Sequence, residues 1–142
     1  MSTLFTKIIN GDIPGRFVWR DPEVVAFLSI GPLAPGHTLV VPVEEVDRWT
    51  DASPETLSKA MIVAQRIGKV QVEAFGSERA GLLVAGYEID HLHVHVWPSN
   101  SMKDYDFAAV DTNPDPAELD ANAEKIREGL RAAGYAEFVP EE

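Results

Sequence analysis

Apolar and polar residues alternate strictly between Asp90 and Pro98. Histidines occupy every second position and aliphatic residues fill the others, in the order His91, Leu92, His93, Val94, His95 and Val96. This period of two predicts a half-buried β-strand bounded by Pro98. Because side chains on a strand point alternately to opposite faces, the three histidines share one face.

Four further apolar runs predict strands at residues 17–19, 24–28, 37–41 and 81–85. The turn-forming residues 20–23 join the first two runs into an antiparallel hairpin. Two prolines stiffen the loop that precedes the third run, and glycines give it access to unusual backbone angles.

Three patterns predict helices. The longest helix begins at Ser53-Pro54-Glu55, a capping serine followed by proline, and ends at Gly76. Its apolar stripe is expected to pack on the sheet through Leu57, Met61, Ala64, Gly68, Val72 and Phe75, widened by Ala60, Val63, Ile67 and Val70. The final helix begins at Asp115-Pro116 and ends at Gly134.

A short helix capped by Ser2 or Thr3 is expected to run through Ile9, with Leu4, Phe5 and Ile8 on one side. These apolar residues form either a lid on the core or part of a binding pocket. Residues 44–49 are expected to form a helical turn. The acidic tail, residues 135–142, is expected to be loosely held.

Size, charge and composition narrow the class of protein. The 142 residues are sufficient for one domain with a real core, and the net charge of −11 argues against nonspecific binding to nucleic acid or anionic membranes. Without cysteine the chain has no disulfide framework and no thiolate zinc site. No apolar run reaches membrane-spanning length and the polar start is no signal peptide, so a soluble cytoplasmic protein is expected.

The row of histidines admits three interpretations. It can be a polar surface of the sheet, or a metal site, although three ligands in a straight row converge poorly on one ion. It can also carry nucleophilic and acid–base chemistry at phosphorus, because imidazole is largely neutral near neutral pH.

Three segments resemble the histidine triad (HIT) family. The segment from His91 to Trp97 resembles its His-x-His-x-His signature followed by apolar residues. Residues 26–42 resemble its strand, proline-rich loop and Gly-His-x-Leu strand, and residues 4–14 resemble its start. The resemblance covers roughly residues 3–98.

The resemblance implies an α+β fold, with a strongly curved antiparallel sheet of about five strands, a long packing helix and a C-terminal helix. Residues 1–107 would form the HIT domain, and residues 108–142 a C-terminal extension with a helix and an acidic tail within the same domain. It also implies a homodimer. Many relatives hold a structural zinc through Cys-x-x-Cys where this chain has residues 3–6, so no metal or other cofactor is expected here.

The resemblance further implies a covalent mechanism on a purine nucleotide or nucleotide conjugate. His93 would attack the α-phosphorus of a nucleoside phosphoramidate or adenylate, and His95 would donate a proton. His91 and His37 would set the tautomer and support the row. The implied nucleotide-binding residues are Leu4, Phe5, Ile8, Phe27, Ser29, Ile30, Glu88, His93 and His95.

Two departures from the family pattern leave alternatives open. Ser29 stands where relatives carry an acidic acceptor for the ribose hydroxyls, and the loop before the triad lacks the relatives' asparagine and glutamine. Glu88 in that loop is either a surface residue or the partner of an imidazole. The alternatives are therefore a dinucleoside polyphosphate hydrolase, a nucleotide-binding protein without turnover and a metal-binding protein.

Overall fold

The computed structural model describes residues 2–141, so Met1 of the predicted domain and Glu142 of the predicted tail lie outside the described residues. One antiparallel sheet contains five strands: Phe17–Arg20 (β1), Val24–Leu28 (β2), Thr38–Pro42 (β3), Arg79–Leu83 (β4) and Val94–Ser99 (β5). Their order is β1-β2-β3-β5-β4. The predicted α+β class, with a curved five-stranded antiparallel sheet, is confirmed.

Both faces of the sheet are covered, so β2 and β3 are buried throughout rather than alternating with solvent. Two helices, Pro54–Phe75 (α2) and Pro116–Leu130 (α3), pack on one face around Val40, Val94 and Val96. The short helix Leu4–Ile9 (α1) covers the other face with a second, aromatic cluster that contains Phe5 and Phe27. The triad histidines lie on this second face.

Helix α2 has the predicted ends. The Ser53 hydroxyl accepts from the Thr56 N–H, and Gly76 ends the helix with a left-handed φ of 63°. The predicted core face was partly wrong, because Met61 is 39% exposed. The buried residues are Ala60, Val63, Ala64, Ile67, Gly68, Val70 and Gln71. The helix is thus turned so that the widening positions face the core and Met61 lies beside the edge strand β4.

The prediction of a loosely held tail was wrong. The Phe138 ring stacks on Trp19 with centroids 4.8 Å apart, and Tyr135 contacts the same indole. The Arg66 guanidinium of α2 lies 4.5 Å from the Tyr135 ring. A left-handed turn at Gly134, with a φ of 100°, directs these two aromatic side chains back onto the core. None of the helices between residues 2 and 141 combines the length and apolar character that crossing a membrane requires.

Several boundaries differ from those predicted. Strand β4 lies two residues earlier than the predicted residues 81–85, and β3 lies one residue later than residues 37–41. The helical turn expected at residues 44–49 lies instead at Trp49–Asp51. Strand β5 begins only at Val94 and continues through Pro98 to Ser99. Strand β3 pairs with β5 no further than Val96, so Pro98, which lacks an N–H, has no strand opposite it on that side.

Candidate active site

A cavity of about 430 Å³ opens between α1, the β2–β3 loop and the start of β5. All nine residues predicted to bind nucleotide line it: Leu4, Phe5, Ile8, Phe27, Ser29, Ile30, Glu88, His93 and His95. Phe5 and Phe27 form its apolar end, with their rings edge to face at 5.5 Å. His37 also lines the cavity.

His91 contributes to the site through its backbone rather than its ring. Its imidazole is fully buried, and its Nε2 lies 2.7 Å from the Pro42 carbonyl. A carbonyl only accepts, so Nε2 carries the proton, and Nδ1 accepts from the Thr3 hydroxyl at 2.7 Å. Of the three histidines on this face, only His93 and His95 line the cavity, because the His91 ring does not reach it.

His93 has one bonded nitrogen and one free nitrogen. Its Nδ1 donates to the His91 carbonyl at 2.7 Å, which places the ring proton on Nδ1. Nε2 has no hydrogen-bond partner within residues 2–141, and the ring lines the cavity. The lone pair of Nε2 is thus available to a ligand.

His37 and His95 form a hydrogen-bonded pair with a defined proton order. The Leu33 N–H donates to His37 Nδ1 at 3.0 Å, so the His37 proton lies on Nε2. His37 Nε2 then donates to His95 Nδ1 at 3.0 Å. The remaining proton of neutral His95 must therefore lie on its Nε2. The His93 and His95 ring centroids are 4.9 Å apart, and both rings line the cavity. The ring with a free Nε2 lone pair therefore neighbours the ring with an Nε2–H donor.

Burial keeps these histidines neutral. Burial, together with the neighbouring His95, lowers the pKa of His37 to about 3. Burial next to His93 lowers the pKa of His95 to about 4, and burial also lowers the pKa of His93. At neutral pH the site therefore contains imidazoles rather than imidazolium ions.

The comparisons with known proteins agree with this geometry. A model of the HIT domain matches residues 10–102, well over half of the chain. The chain belongs to the HIT family. An uncharacterised HIT-like protein of Methanocaldococcus jannaschii is 35% identical over 102 residues, which are 67% of this chain and 77% of that protein.

Two further HIT relatives carry more specific descriptions. The adenosine 5′-monophosphoramidase of Schizosaccharomyces pombe is 32% identical over 103 residues, which are 69% of this chain and 74% of that enzyme. The crystal structure of a zinc-bound histidine triad family protein from Mycobacterium smegmatis superposes with a TM-score of 0.81 at 26% identity. It covers 96% of this chain and 98% of that one.

The two departures from the HIT pattern have definite surroundings. The Ser29 hydroxyl accepts from the Gly31 N–H at 3.1 Å, which leaves its own proton free to donate into the cavity. Glu88 lines the cavity, but within residues 2–141 its carboxylate bonds to no histidine. The tautomer of His93 is set by the His91 carbonyl instead, so the interpretation of Glu88 as a tautomer-fixing partner was wrong.

Several cavity residues escaped the sequence-based prediction. Phe107 packs edge to face on His95 at 5.1 Å, and Arg16, held by Asp120 at 2.7 Å, lies at the cavity wall. Both come from irregular segments whose sequences show no periodicity. Trp97, the last residue of the segment that resembles the family signature, is fully buried and packs on Gly81.

The described part of the chain contains no cluster of three His, Cys, Asp or Glu side chains arranged to hold a metal ion. At the start of α1, the Thr3 hydroxyl donates to His91 Nδ1 at 2.7 Å and the Thr6 hydroxyl donates to Glu45 at 2.6 Å. These hydrogen bonds tie α1 to the triad segment.

We expect the buried His37 to make stability fall as the pH falls. In the unfolded chain His37 binds a proton near pH 6.5, whereas in the folded chain its pKa is about 3. Between these two pH values, acid therefore favours the unfolded state. Because of His37 alone, the free energy of unfolding should fall by about 2 kcal/mol between pH 6.5 and pH 5. Denaturant unfolding at both pH values measures this loss.

The neutral variant His37→Gln provides the comparison. Its free energy of unfolding should depend less steeply on pH than that of the wild type, by about 1.4 kcal/mol per pH unit. Equal pH dependence in both proteins would show that His37 is not the group that resists protonation.

Proposed function

We propose that this HIT-family chain is a nucleotide-binding hydrolase that acts at the α-phosphate of nucleoside phosphoramidates or adenylates. The observation that carries this proposal is the juxtaposition of an unbonded His93 Nε2 and a protonated His95 Nε2 at the inner end of the nucleotide-sized cavity. The first nitrogen is suited to attack and the second to donate.

In the first step the His93 Nε2 lone pair forms a bond to the α-phosphorus, and the bond from phosphorus to the leaving group breaks. The His95 Nε2 proton passes to the leaving nitrogen or oxygen, which departs as a neutral amine or as a neutral hydroxyl compound. His95 is left as an imidazolate, which the His37 Nε2–H and the positive His93 ring stabilise until the second step. The nucleotidyl-imidazolium that remains keeps its Nδ1–H on the His91 carbonyl, which stabilises the new positive charge.

In the second step water hydrolyses this intermediate. A water molecule gives one proton to His95 Nε2 while its oxygen bonds to phosphorus. The bond from phosphorus to His93 then breaks, and nucleoside monophosphate leaves. Both histidines return to their starting protonation states, so the cycle consumes only water. His37 acts as a positioning residue because it holds His95 in the required tautomer.

The nucleoside would occupy the rest of the cavity. The base would stack between the apolar walls at Phe5, Phe27 and Ile8, and Ser29 would contact the ribose. Loss of the family's acidic residue at this position removes a charged acceptor, so binding of the ribose hydroxyls should be weak.

We expect Ser29→Asp to strengthen ribose recognition by about tenfold, since a hydrogen bond to a charged acceptor contributes about 1.4 kcal/mol or more. The measurement is the affinity for AMP divided by that for its 2′,3′-dideoxy analogue, by calorimetry. Ser29→Asn is the uncharged control of equal size and should leave this ratio near the wild-type value. An unchanged ratio in both variants would place the ribose elsewhere.

The S. pombe relative supports the phosphoramidate over other leaving groups because it is an adenosine 5′-monophosphoramidase. The test is a comparison of kcat/KM for AMP phosphoramidates and dinucleoside polyphosphates. Preference for the polyphosphates would support the alternative hydrolase, and nucleotide binding without turnover would support a non-catalytic protein. Activity should survive a chelator; loss that zinc restores would favour a metal site.

The proposal extends to a homodimer. Strand β4 forms an edge of the sheet, and apolar side chains are exposed beside it at Leu82 and Met61. A second copy of the chain that paired along this edge would cover them. We also propose that residues 108–142 belong to the same domain, since α3 packs on α2 and β1. Light scattering tests the dimer.

A further inference from the structure

A second cavity, of about 470 Å³, meets the nucleotide cavity at His93. Among residues 2–141, His93 is the one residue that lines both cavities. The segment before the triad separates them, because Glu88 lines the nucleotide cavity whereas Tyr87 and Asp90 line the second one. A substrate whose phosphorus stands next to His93 can therefore place its nucleoside and its leaving group in two different spaces.

The second cavity has the side chains of a cation site. Two carboxylates, Asp47 and Asp90, line it together with a single guanidinium, Arg48. None of the three forms an ion pair within the described residues. Two aromatic side chains complete the wall: Trp49 is 52% exposed and Tyr87 is 97% exposed. Carboxylates and aromatic faces both attract alkylammonium groups.

His93 indicates that a ligand belongs here. Its ring is only 6% exposed, yet its Nε2 has no partner within residues 2–141. Once the nucleoside fills the first cavity and phosphorus stands at Nε2, the remaining large substituent on phosphorus is the leaving group. The second cavity is the space next to His93 that the nucleoside does not occupy.

We propose that the second cavity binds the leaving group and selects amines that carry a positive charge. This inference rests on the proposed function and deepens it. The carboxylates of Asp47 and Asp90 would contact the cation, with Trp49 and Tyr87 against its alkyl surface. When the bond from phosphorus to nitrogen breaks, the leaving nitrogen takes the His95 proton and becomes a neutral amino group. The positive charge that the leaving group carries elsewhere stays against the carboxylates as the amine departs through this cavity.

Two AMP phosphoramidates of equal shape test the proposal. One carries a 2-(trimethylammonio)ethyl group on the leaving nitrogen, and the other a neutral 3,3-dimethylbutyl group. Wild-type kcat/KM should favour the cationic substrate by about fivefold, as expected for partly exposed charge pairs. The double variant Asp47→Asn/Asp90→Asn should lose this preference, and Tyr87→Ala should reduce it.

A matched control is needed because the net charge of −11 attracts any cation. The double variant Asp12→Asn/Glu73→Gln changes the charge equally at exposed residues outside both cavities, and it should keep the preference. Equal loss of preference in both double variants would overturn the cavity as the source of selectivity.

Binding to His93→Asn separates this inference from the proposed function. If no phosphoramidate is hydrolysed, calorimetry with the intact substrates still measures the preference for the cationic one. Turnover of both substrates at equal kcat/KM would overturn the inference and leave the proposed function intact. If neither substrate binds, both are overturned.

Discussion

The His93→Asn variant is expected to lose turnover of an AMP phosphoramidate by about 10⁴- to 10⁶-fold, the scale seen when a nucleophile is removed. Asparagine is the sharpest replacement because its side-chain N–H can still donate to the His91 carbonyl, as His93 Nδ1 does at 2.7 Å. Only the free Nε2 is then removed. The measurement is single-turnover hydrolysis at saturating substrate.

Nucleotide affinity is the internal control for His93→Asn. The base and ribose contacts come from α1 and the β2–β3 segment, so the Kd for AMP should change by less than about tenfold. Loss of binding together with turnover would point to a disrupted pocket. Turnover near the wild-type rate would remove His93 as the nucleophile.

Trapping the covalent intermediate tests independently whether His93 Nε2 is the nucleophile. A rapid alkaline quench during turnover should trap a nucleoside monophosphoryl group on the peptide that contains His93, detected by mass spectrometry. The His93→Asn protein should carry none. A label on another histidine would assign the attack to that residue.

The alternation of histidines sufficed to predict the face on which the site lies, because a period of two is a local property of an extended chain. It did not suffice for the role of each ring. His91 is withdrawn from the cavity by the Pro42 carbonyl, 49 positions away in sequence, and by Thr3, 88 positions away. Such long-range hydrogen bonds leave no periodic signal in the sequence.

In helix α2 and in the tail, too, features set by neighbouring residues were predictable, whereas features set by tertiary contacts were not. The ends of α2 follow from Ser53 and Gly76, whose capping chemistry acts within one turn. The rotation of α2 about its axis depends on how the helix packs on the sheet and on α3, and this rotation leaves Met61 exposed. The order of the tail depends on Trp19, more than a hundred residues before Phe138.

The proton on His95 Nε2 predicts a large loss of activity when His95 is replaced. Because Leu33 and His37 direct the His95 proton to Nε2, the proposed role of His95 is to protonate the leaving group. We expect His95→Ala to slow hydrolysis of an alkylamine phosphoramidate by about 10²- to 10⁴-fold, the range for general acid catalysis. The measurement is kcat/KM against wild type at neutral pH, where burial keeps the His95 pKa at about 4 and the ring neutral.

The leaving group provides the control for His95→Ala. A nitrophenyl ester of AMP expels a stable anion that needs no proton, so the same variant should slow its hydrolysis by less than about tenfold. A general structural role of His95 would slow both substrates equally, and that result would contradict the assignment. Comparison of the two substrates thus separates proton donation by His95 from a role in positioning.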